Sequence, residues 1–201
     1  MGLQLAEKAG NNNIEVRLGG NDEERRQVYR TRYAVYADEM GWKTRYADDQ
    51  RGTLTDPLDQ TGKIFAAFCG NEVVGTLRTN YGDPARLGEY VDLYEMGCHL
   101  RANPRGAGIG TMFMVRRSFR SSLVPSQLLV VALREAVANG VETVFIDCER
   151  RMVPFYRRLG LHVHIESICH PEYGEGVCMA GALKDIRLLW NRCAPQRPVA
   201  A

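Results

Sequence analysis

The sequence lacks the features that mark several specialised classes of protein. No apolar run approaches the ~20 residues that a membrane-spanning helix needs, and the net charge of the 201 residues is only +2. None of the six cysteines forms a C-x-x-C pair, which disfavours a zinc or disulfide-redox site. The glycine-rich segment 105–110 has no interleaved aromatic residues or wider basic patch, which disfavours nucleic-acid binding. We therefore expect no metal, no nucleic-acid partner and no membrane span.

The composition and the N-terminal residues predict a cytoplasmic globular protein. Residues 1–13 are polar and have neither the basic nor the apolar region of a secretory signal. Several cysteines lie within apolar runs, as expected of reduced, mostly buried thiols in the cytoplasm. The length fits one domain. We predict a flexible leader at 1–13, the domain at 14–185 and a C-terminal tail at 186–201.

The periodicity of the apolar residues predicts a mixed α/β domain. Alternating or continuous apolar runs predict strands at 14–18, 64–69, 73–79, 111–115, 141–147, 161–169 and 177–184. Helical periodicity predicts helices at 23–40, 125–139 and 153–159, a further helix near 91–100 and a last helical turn at 186–191. The polar segment 43–61 and most of 80–110 are predicted to be irregular.

The run from Thr111 to Gly160 carries the functional argument. It is predicted to form a strand, a basic turn, a long helix, a strand and a short helix that contains Phe155-Tyr156-Arg157-Arg158-Leu159-Gly160. A turn that enters a helix exposes unpaired N–H groups and the positive end of the helix dipole, which together bind phosphate. This arrangement resembles the acyl-CoA core of the GNAT acyltransferase superfamily, over roughly residues 14–185. The resemblance implies an α/β (α+β) fold with a mixed, mostly antiparallel central sheet, flanking helices and splayed central strands.

Two segments compete for the role of donor-phosphate loop. Arg105–Gly110 has the R-x-x-G-x-G pattern of GNAT loops, but a strand-like run follows it and its distance from Tyr156 is too long. Phe119–Pro125 follows a strand, precedes the long helix and has the usual GNAT spacing to Tyr156, so we assign the donor there. The predicted donor-binding residues are Met114, Val115, Arg116, Arg120, Ser121, Ser122, Leu123 and Val124. The alternatives are a flexible glycine loop at 105–110 that closes over a ligand, or donor contact with both segments.

The same resemblance implies how the donor reacts. The pantetheine arm of an acyl thioester would lie between strands 111–116 and 141–147, where an N–H near Met114 or Val115 polarises the carbonyl. Tyr156 would protonate the departing thiolate, although a tyrosine here can also be a core aromatic that only packs on the arm. The expected co-substrate is a phosphopantetheine thioester, either acyl carrier protein or acyl-CoA, with no permanently bound cofactor.

The N-terminal third carries a second resemblance. An arginine, an aromatic residue, a tryptophan, two aspartates and a second arginine follow one another as Arg32, Tyr36, Trp42, Asp56, Asp59 and Arg78. This order resembles acyl-homoserine lactone synthases and the related N-acyl amino acid synthases, in which these residues form the acceptor site. The acidic loop there positions or deprotonates the amine, so the base is Asp56, Asp59, Glu39 or a water. The structural alternative is that Asp56 opens a turn and Arg32 pairs with Asp38 or Glu39 on its own helix.

One departure from the lactone synthases bears on the acceptor. Their E-x-x-R pair before the donor loop is replaced by Ile109 and Met112. The resemblance therefore favours an amino acid or another small amine over S-adenosylmethionine. Met112, Phe113 and Met114 are predicted to line a fatty-acyl tunnel, and the alternative is that they belong to the core.

The sequence thus predicts an N-acyltransferase that moves an acyl group, expected to be a fatty acyl group, to the amine of an amino acid or similar small molecule. The basic residues Arg116, Arg117 and Arg120 are expected to contact acyl carrier protein, which is acidic. Two alternatives stay open: an acetyl-CoA-dependent GNAT acetyltransferase acting on a small amine or a protein amine, and a non-catalytic acyl-thioester sensor. The sequence contains no signal for the oligomeric state.

Overall fold

The computed structural model describes residues 14–186. Its strands are β1 (Ile14–Leu18), β2 (Ala47–Asp48), β3 (Thr53–Leu54), β4 (Lys63–Cys69), β5 (Glu72–Tyr81), β6 (Ala107–Val115), β7 (Thr143–Cys148), β8 (His162–His170) and β9 (Gly174–Ala182). Its α-helices are α1 (Asp22–Tyr33), α2 (Pro84–Leu87), α3 (Tyr90–Leu93), α4 (Gly97–Ala102), α5 (Val124–Ala138) and α6 (Val153–Arg158). A π-helix (Ala34–Glu39) follows α1, and 3₁₀ helices cover Pro57–Gln60, Arg117–Phe119 and Arg150–Met152.

Seven strands form one central sheet in the order β1-β4-β5-β6-β7-β9-β8, and β2 pairs with β3 in a separate ribbon. Strands β6 and β7 are parallel, whereas the other neighbours in the central sheet are antiparallel. A parallel pair needs a crossover connection, and α5 provides it between β6 and β7. The predicted mixed, mostly antiparallel sheet with flanking helices is therefore confirmed.

The two faces of the sheet carry different helices because side chains alternate along each strand. In β4, Ile64 and Ala66 pack on the α1 side, whereas Phe65 and Ala67 pack against α5. The short helices α2, α3 and α4 cover another part of the α1 side, which we call the first face. Helix α6 lies with α5 on the opposite side, which we call the second face.

The first long helix is two elements and not one. Asn21 caps α1, because its side chain accepts a hydrogen bond from the Glu24 N–H at 2.9 Å. The α-helix ends at Tyr33, and in the π-helix that follows the Met40 N–H donates to the Val35 carbonyl at 3.0 Å. The prediction of one continuous helix is wrong because apolar periodicity does not register a single wider turn.

The segment predicted to be irregular before residue 110 is more regular than expected. It contains three short helices, and β6 already begins at Ala107. The alternative of a flexible glycine loop at 105–110 is therefore wrong for most of that segment. Glycine at 108 permits close packing within the sheet, since a Cβ there would lie 2.8 Å from the Tyr81 ring.

The cysteines are less buried than expected. Cys148 and Cys178 are buried, but Cys98 and Cys169 are exposed. Cys169 is exposed because it lies on β8, the edge strand of the sheet. Cys193 lies outside the described residues.

The boundaries at the end of the chain also differ from the prediction. Strand β9 ends at Ala182, and residues 183–186 are helical. The predicted leader lies outside the described residues, as does the predicted helical turn after Ile186.

None of the helices formed by residues 14–186 is long and apolar enough to cross a membrane.

Candidate active site

The central sheet opens between its two parallel strands. Strands β6 and β7 pair from Ala107–Thr143 to Gly110–Ile146, and the pairing ends there although both strands continue. The register between β5 and β6 shifts at this point, and Met112 has φ +52°, a left-handed conformation that is uncommon outside glycine. A bulge of this kind bends the strand. The predicted splay of the central strands is therefore confirmed.

A cavity passes through this opening and reaches both faces of the sheet. Its volume of about 140 Å³ far exceeds the ~10–15 Å³ that one water needs. The lining at the first-face end is polar and aromatic and includes Tyr36, Tyr90, Thr111, Asp147, His170, Glu172 and Tyr173. The lining at the second-face end is largely apolar and includes Phe113, Ala132, Leu133, Ala136, Val144 and Tyr156. A molecule in the cavity would have a polar part on one face and an apolar part on the other.

Stacked rings form a wall of the first-face end. The ring centroid of Tyr36 lies 4.7 Å from that of Trp42, which stacks on Tyr173 at 4.9 Å. Tyr173 stacks in turn on His170 at 4.1 Å. Burial lowers the pKa of His170 to about 4, and Arg45 acts in the same direction, so the imidazole is neutral at pH 7. Of the two aromatic residues that the sequence predicts in the acceptor site, Tyr36 lines the cavity. Trp42 contacts the rings of Tyr36 and Tyr173 but does not itself line the cavity in the described structure.

Two carboxyl groups line the same end. Burial raises the pKa of Asp147 to about 6, although a hydrogen bond from the Tyr94 hydroxyl opposes the shift. Burial and the Asp56 carboxylate raise the pKa of Glu172. Neither residue follows from the family resemblance. An aspartate inside the apolar run of β7 is unusual, and this could have identified Asp147 in the sequence. Glu172 lies in the β8–β9 turn, and only the tertiary fold brings it to the cavity.

Tyr156 lines the cavity from α6 on the second face. Burial raises its pKa above the ordinary tyrosine value, and the neighbouring Cys148 and Asp147 add to the shift. The hydroxyl therefore stays protonated at neutral pH and has a proton to give to a thiolate. Its ring also packs in the core, so the position is compatible with both roles that the sequence leaves open.

The other predicted acceptor residues form a buried ion-pair network. Nη1 of Arg32 donates to both carboxylate oxygens of Asp59, at 2.9 and 2.8 Å. Nη1 of Arg78 lies 2.7 Å from Asp56 and 3.3 Å from Asp59. Burial opposes the charge of Arg78, but the two aspartates outweigh it and raise its pKa. Nε of Arg78 donates to Thr111 Oγ1 at 3.0 Å.

This network supports the cavity from behind. Two arginines and two aspartates compensate one another, as buried charges must. In the described part of the chain none of the four lines the cavity, but Thr111, which Arg78 holds, is the first β6 residue after the last pair with β7. The alternative pairing of Arg32 with Asp38 or Glu39 is wrong, because Arg32 is buried and pairs across to Asp59.

Glu39, a candidate base, is held by an arginine of the predicted donor loop. Arg120 donates to its two carboxylate oxygens at 2.6 and 3.0 Å and to the Val115 carbonyl at 2.9 Å. Nη1 of Arg116 donates to one carboxylate oxygen of Glu72 at 3.1 Å. Within residues 14–186, Glu39 does not line the cavity. Both arginines are thus engaged by glutamates of the protein itself.

Strand β6 presents its side chains to both faces after the opening. Met112 and Met114 pack on the first face with Val35. Phe113 and Val115 pack on the second face beside α5. Met112 and Phe113 line the cavity, whereas Met114 and Val115 are core residues that do not reach it in the described structure.

The predicted donor segment connects β6 to α5. Ser122 Oγ accepts from the Val124 N–H at 3.1 Å and donates to the Phe119 carbonyl at 2.7 Å, so it shapes the turn. Ser121 is exposed, and Leu123 is 70% exposed at the start of the helix. Because β6 leads directly into this turn, the segment lies at the open edge of the gap between the strands.

The fold and the cavity define the class of this protein. The sheet opens between two parallel strands, and the cavity has a polar compartment on one side of this slot and an apolar compartment on the other. This is the architecture of a GNAT-like acyltransferase. The chain belongs to the FeeM family of N-acyl amino acid synthases, whose family model matches residues 27–182.

Solved structures share the fold at low sequence identity. FeeM, an N-acyl amino acid synthase from uncultured soil microbes, has a TM-score of 0.74 and 14% identity over 90% of this chain and 96% of its own. The acyl-homoserine lactone synthase LasI has a TM-score of 0.69 and 14% identity over 93% and 100% of the two chains. The CoA-dependent acyl-homoserine lactone synthase BjaI, solved with S-adenosylmethionine and isopentyl-CoA, has a TM-score of 0.67 and 18% identity over 93% and 92%. A comparison with curated protein sequences gives no match.

Proposed function

We propose that the protein transfers a fatty acyl group from an acyl thioester to the amine of an amino acid or similar small molecule. The observation that carries this proposal is the cavity that crosses the sheet where the β6–β7 pairing ends. It offers a slot for the thioester, an apolar compartment for an acyl chain and a polar compartment for a charged amine. An amide-forming reaction between these two substrates needs all three.

The second-face compartment supports a donor longer than acetyl. Phe113, Leu133 and Val144 line it, and Ala132 and Ala136 of α5 leave it open. Each buried methylene contributes ~0.8 kcal/mol, so four additional methylenes favour the longer donor by about 3 kcal/mol, or roughly 100-fold. An acetyl group would leave this apolar space unfilled. The geometry therefore favours a fatty acyl donor over acetyl-CoA.

The donor chemistry centres on the bulge of β6 and on Tyr156. In our proposal the bulge at Met112 directs a main-chain N–H, near Met114 or Val115, towards the thioester carbonyl and stabilises the charge that develops on its oxygen. Tyr156, buried and protonated, gives its proton to the thiolate that leaves.

The carrier end of the donor would lie at the open edge of the slot. Because β6 and β7 are parallel, the turns that follow them lie at the same edge. Leu123 and Met152 are exposed apolar residues of these turns, and Arg117 and Arg157 are exposed nearby in sequence. Apolar contacts combined with arginines complement an acidic protein. We therefore propose acyl carrier protein as the preferred carrier, with acyl-CoA as the second candidate.

The acceptor would enter the first-face compartment. Its ammonium would be attracted by the carboxyl groups there, and its side chain would pack on the rings of Tyr36 and Tyr173, which Trp42 supports. Ile109 is buried in the first-face core, where lactone synthases carry the glutamate of their E-x-x-R pair. We therefore propose a small amine and not S-adenosylmethionine. Arg32 and Arg78, with the aspartates they bind, hold the walls of this compartment in place.

The test is a direct assay of product formation. Purified protein would be incubated with acetyl-CoA, palmitoyl-CoA or palmitoyl carrier protein, each with a pool of amino acids and simple amines. Mass spectrometry would then identify the N-acyl products. We expect long-chain N-acyl products and little acetylation. Exclusive acetylation would support the acetyltransferase alternative, and thioester binding without any product would support the sensor.

A further inference from the structure

Asp147 occupies a distinctive position at the opening of the sheet. Ile146 makes the last β7 pair with β6, so Asp147 is the first β7 residue after the strands part. It pairs with Cys178 of β9 on the other side, which keeps it in the sheet. Its side chain lines the cavity on the first face, where its carboxylate accepts a hydrogen bond from the Tyr94 hydroxyl.

The carboxylates that the sequence nominates as bases are all paired with cations. Asp56 and Asp59 are held by buried arginines, and Glu39 is held by Arg120. Within residues 14–186, the hydrogen-bond partner of the Asp147 side chain is a neutral tyrosine, and the cavity lining contains no lysine or arginine. Asp147 is therefore a carboxylate at the opening that has no cation of its own.

Glu172 presents an acceptor that a hydrogen-bond donor of a ligand would satisfy. Its side chain is only 7% exposed, and its Oε1 has no hydrogen-bond partner within the described structure. The neighbouring guanidinium of Arg45 is 3.8 Å away, too far for a hydrogen bond. The buried hydroxyl of Tyr173 is likewise without a partner among the described residues. A primary ammonium has three donors, which these oxygens can accept, and a positive charge that Asp147 can attract.

The groups that face Asp147 leave its charge uncompensated. On its own face of the sheet they are the hydroxyls of Tyr36, Tyr90 and Tyr94 and the thiol of Cys178, and on the second face they are the hydroxyl of Tyr156 and the thiol of Cys148. Burial raises the pKa of each of these groups, so all of them are neutral at pH 7. Asp147 and Glu172 both line the first-face end of the cavity, together with Tyr36 and Tyr90.

We propose that Asp147 is the base that removes a proton from the acceptor ammonium, while Glu172 holds that ammonium beside it. This assignment rests on the proposed acyl transfer and names the proton acceptor that it requires. Asp147 lies on the acceptor side of the opening and Tyr156 lines the cavity from the donor side, so deprotonation and protonation are divided between the two faces.

The proposed step balances as follows. Asp147 takes one proton from the ammonium, and the free amine attacks the thioester carbonyl to form the C–N bond. Collapse of the tetrahedral intermediate breaks the C–S bond. The thiolate takes the proton of the Tyr156 hydroxyl. A second proton, from the attacking nitrogen, then restores that hydroxyl. The products are the amide, the free thiol and one proton that Asp147 releases to solvent.

The decisive variant is Asp147→Asn, which keeps an oxygen that can accept from Tyr94. We expect kcat/KM for the amine to fall about 100-fold or more, with unchanged binding of a non-hydrolysable thioester analogue and an unchanged or higher Tm. The wild-type kcat/KM should rise through a limb near pH 6, after correction for the amine's own ionisation, and this limb should be absent in the variant. Formate should partly restore turnover to Asp147→Gly.

Two further variants separate roles. Glu172→Gln should raise KM for the amine with a smaller change in kcat and should keep the pH limb. Glu149→Gln is the control, because Glu149 is a nearby carboxylate that pairs with Arg151 and does not line the cavity in the described structure. It should behave as wild type.

Two outcomes would overturn the assignment. One is Asp147→Asn with kcat/KM within about threefold of wild type, and the other is persistence of the limb near pH 6 in that variant. Failure of the acyl-transfer proposal looks different, because then the wild-type protein itself forms no amide from any thioester and amine pair. In that case the role of Asp147 is overturned with it.

Discussion

At the opening of the sheet, the surroundings of two side chains set their proton states in complementary ways. Burial raises the pKa of Asp147 to about 6, so the group is ionised at neutral pH but only weakly stabilised as an anion. Burial also raises the pKa of Tyr156, so this group keeps its proton. A proton acceptor and a proton donor thus meet at one gap, and each can be removed separately.

Removal of the Tyr156 hydroxyl tests the donor side. We expect Tyr156→Phe to lower kcat by roughly 10²-fold, because the thiolate loses its proton source. The donor KM should change little, since the ring that packs at the slot is kept. Steady-state kinetics with a long-chain donor measure both quantities. If Tyr156 only packs in the core, kcat will stay near the wild-type value.

The raised pKa of Asp147 also makes a prediction for stability. Its carboxyl ordinarily titrates near 3.8 and in the folded protein at about 6. Between these values the folded state binds more protons than the unfolded state, so stability falls as pH rises through this window. Asp147→Asn should therefore raise the free energy of unfolding at pH 7 by up to about 3 kcal/mol. Urea denaturation at pH 7 and near pH 4 measures the free energy of unfolding of both proteins. The difference between them should largely vanish at the lower pH.

Single residues were predictable where the family spacing marks them. Tyr36 lines the cavity, and Trp42, from the same stretch of chain, contacts its ring. The partners of Arg32 were not predictable, because Asp59 comes from another part of the chain and only burial makes this pairing better than a local one. Glu172 was not predictable either, since its environment comes entirely from the tertiary fold.

At the scale of single elements, α5 limits the apolar compartment in which we propose that the acyl chain lies. Its Ala132 and Ala136 line the cavity, one turn apart. We expect Ala136→Phe to fill the compartment and to lower kcat/KM for the longest accepted donor by about 10-fold or more, while short donors are spared. Kinetics with a series of thioesters from acetyl to palmitoyl give kcat/KM as a function of acyl-chain length. Arg134→Phe, on the exposed side of the same helix, should leave it unchanged, and an unshifted profile for Ala136→Phe would contradict the tunnel.

Most elements were predictable because their apolar patterns are strong, as in the continuous apolar run of β4 and the helical periodicity of α5. The π-helix after Tyr33 was not, since one extra residue in a turn leaves the local pattern of apolar residues almost intact. Strand β6 was predicted to begin late, because glycines weaken the strand pattern. In the structure Gly108 and Gly110 lie within the sheet because they allow close contact with neighbouring side chains.

At the scale of the whole molecule, charge reversal at each end of β6 tests where a carrier protein would dock. We expect Arg117→Glu, at the open edge of the slot, to raise KM for acyl carrier protein roughly 5- to 10-fold at low salt, and less as salt screens the charge. Arg105→Glu, an exposed arginine at the other end of the strand, should have no effect. Steady-state kinetics with carrier-protein and pantetheine thioesters at several ionic strengths measure the KM for each donor. Equal loss with both donors would argue against a carrier-protein surface.

The sheet architecture and the splay were predictable because element order and family resemblance agree. The through-cavity was not, because its lining comes from strands, helices and a turn that are distant in sequence. Apolar patterns identify residues that avoid water, but they do not say which of those residues leave space between them.

The pairing of Gly110 with Ile146 closes one end of the gap and leaves the other end free. A completed amide would have its head on one side of the sheet and its tail on the other, so it cannot depart past that closed apex. It must slip out through the same mouth that the spent thiol carrier occupies. We therefore expect an ordered release, with the thiol dissociating first and the lipid-like amide last, and the amide should compete directly with the next incoming thioester.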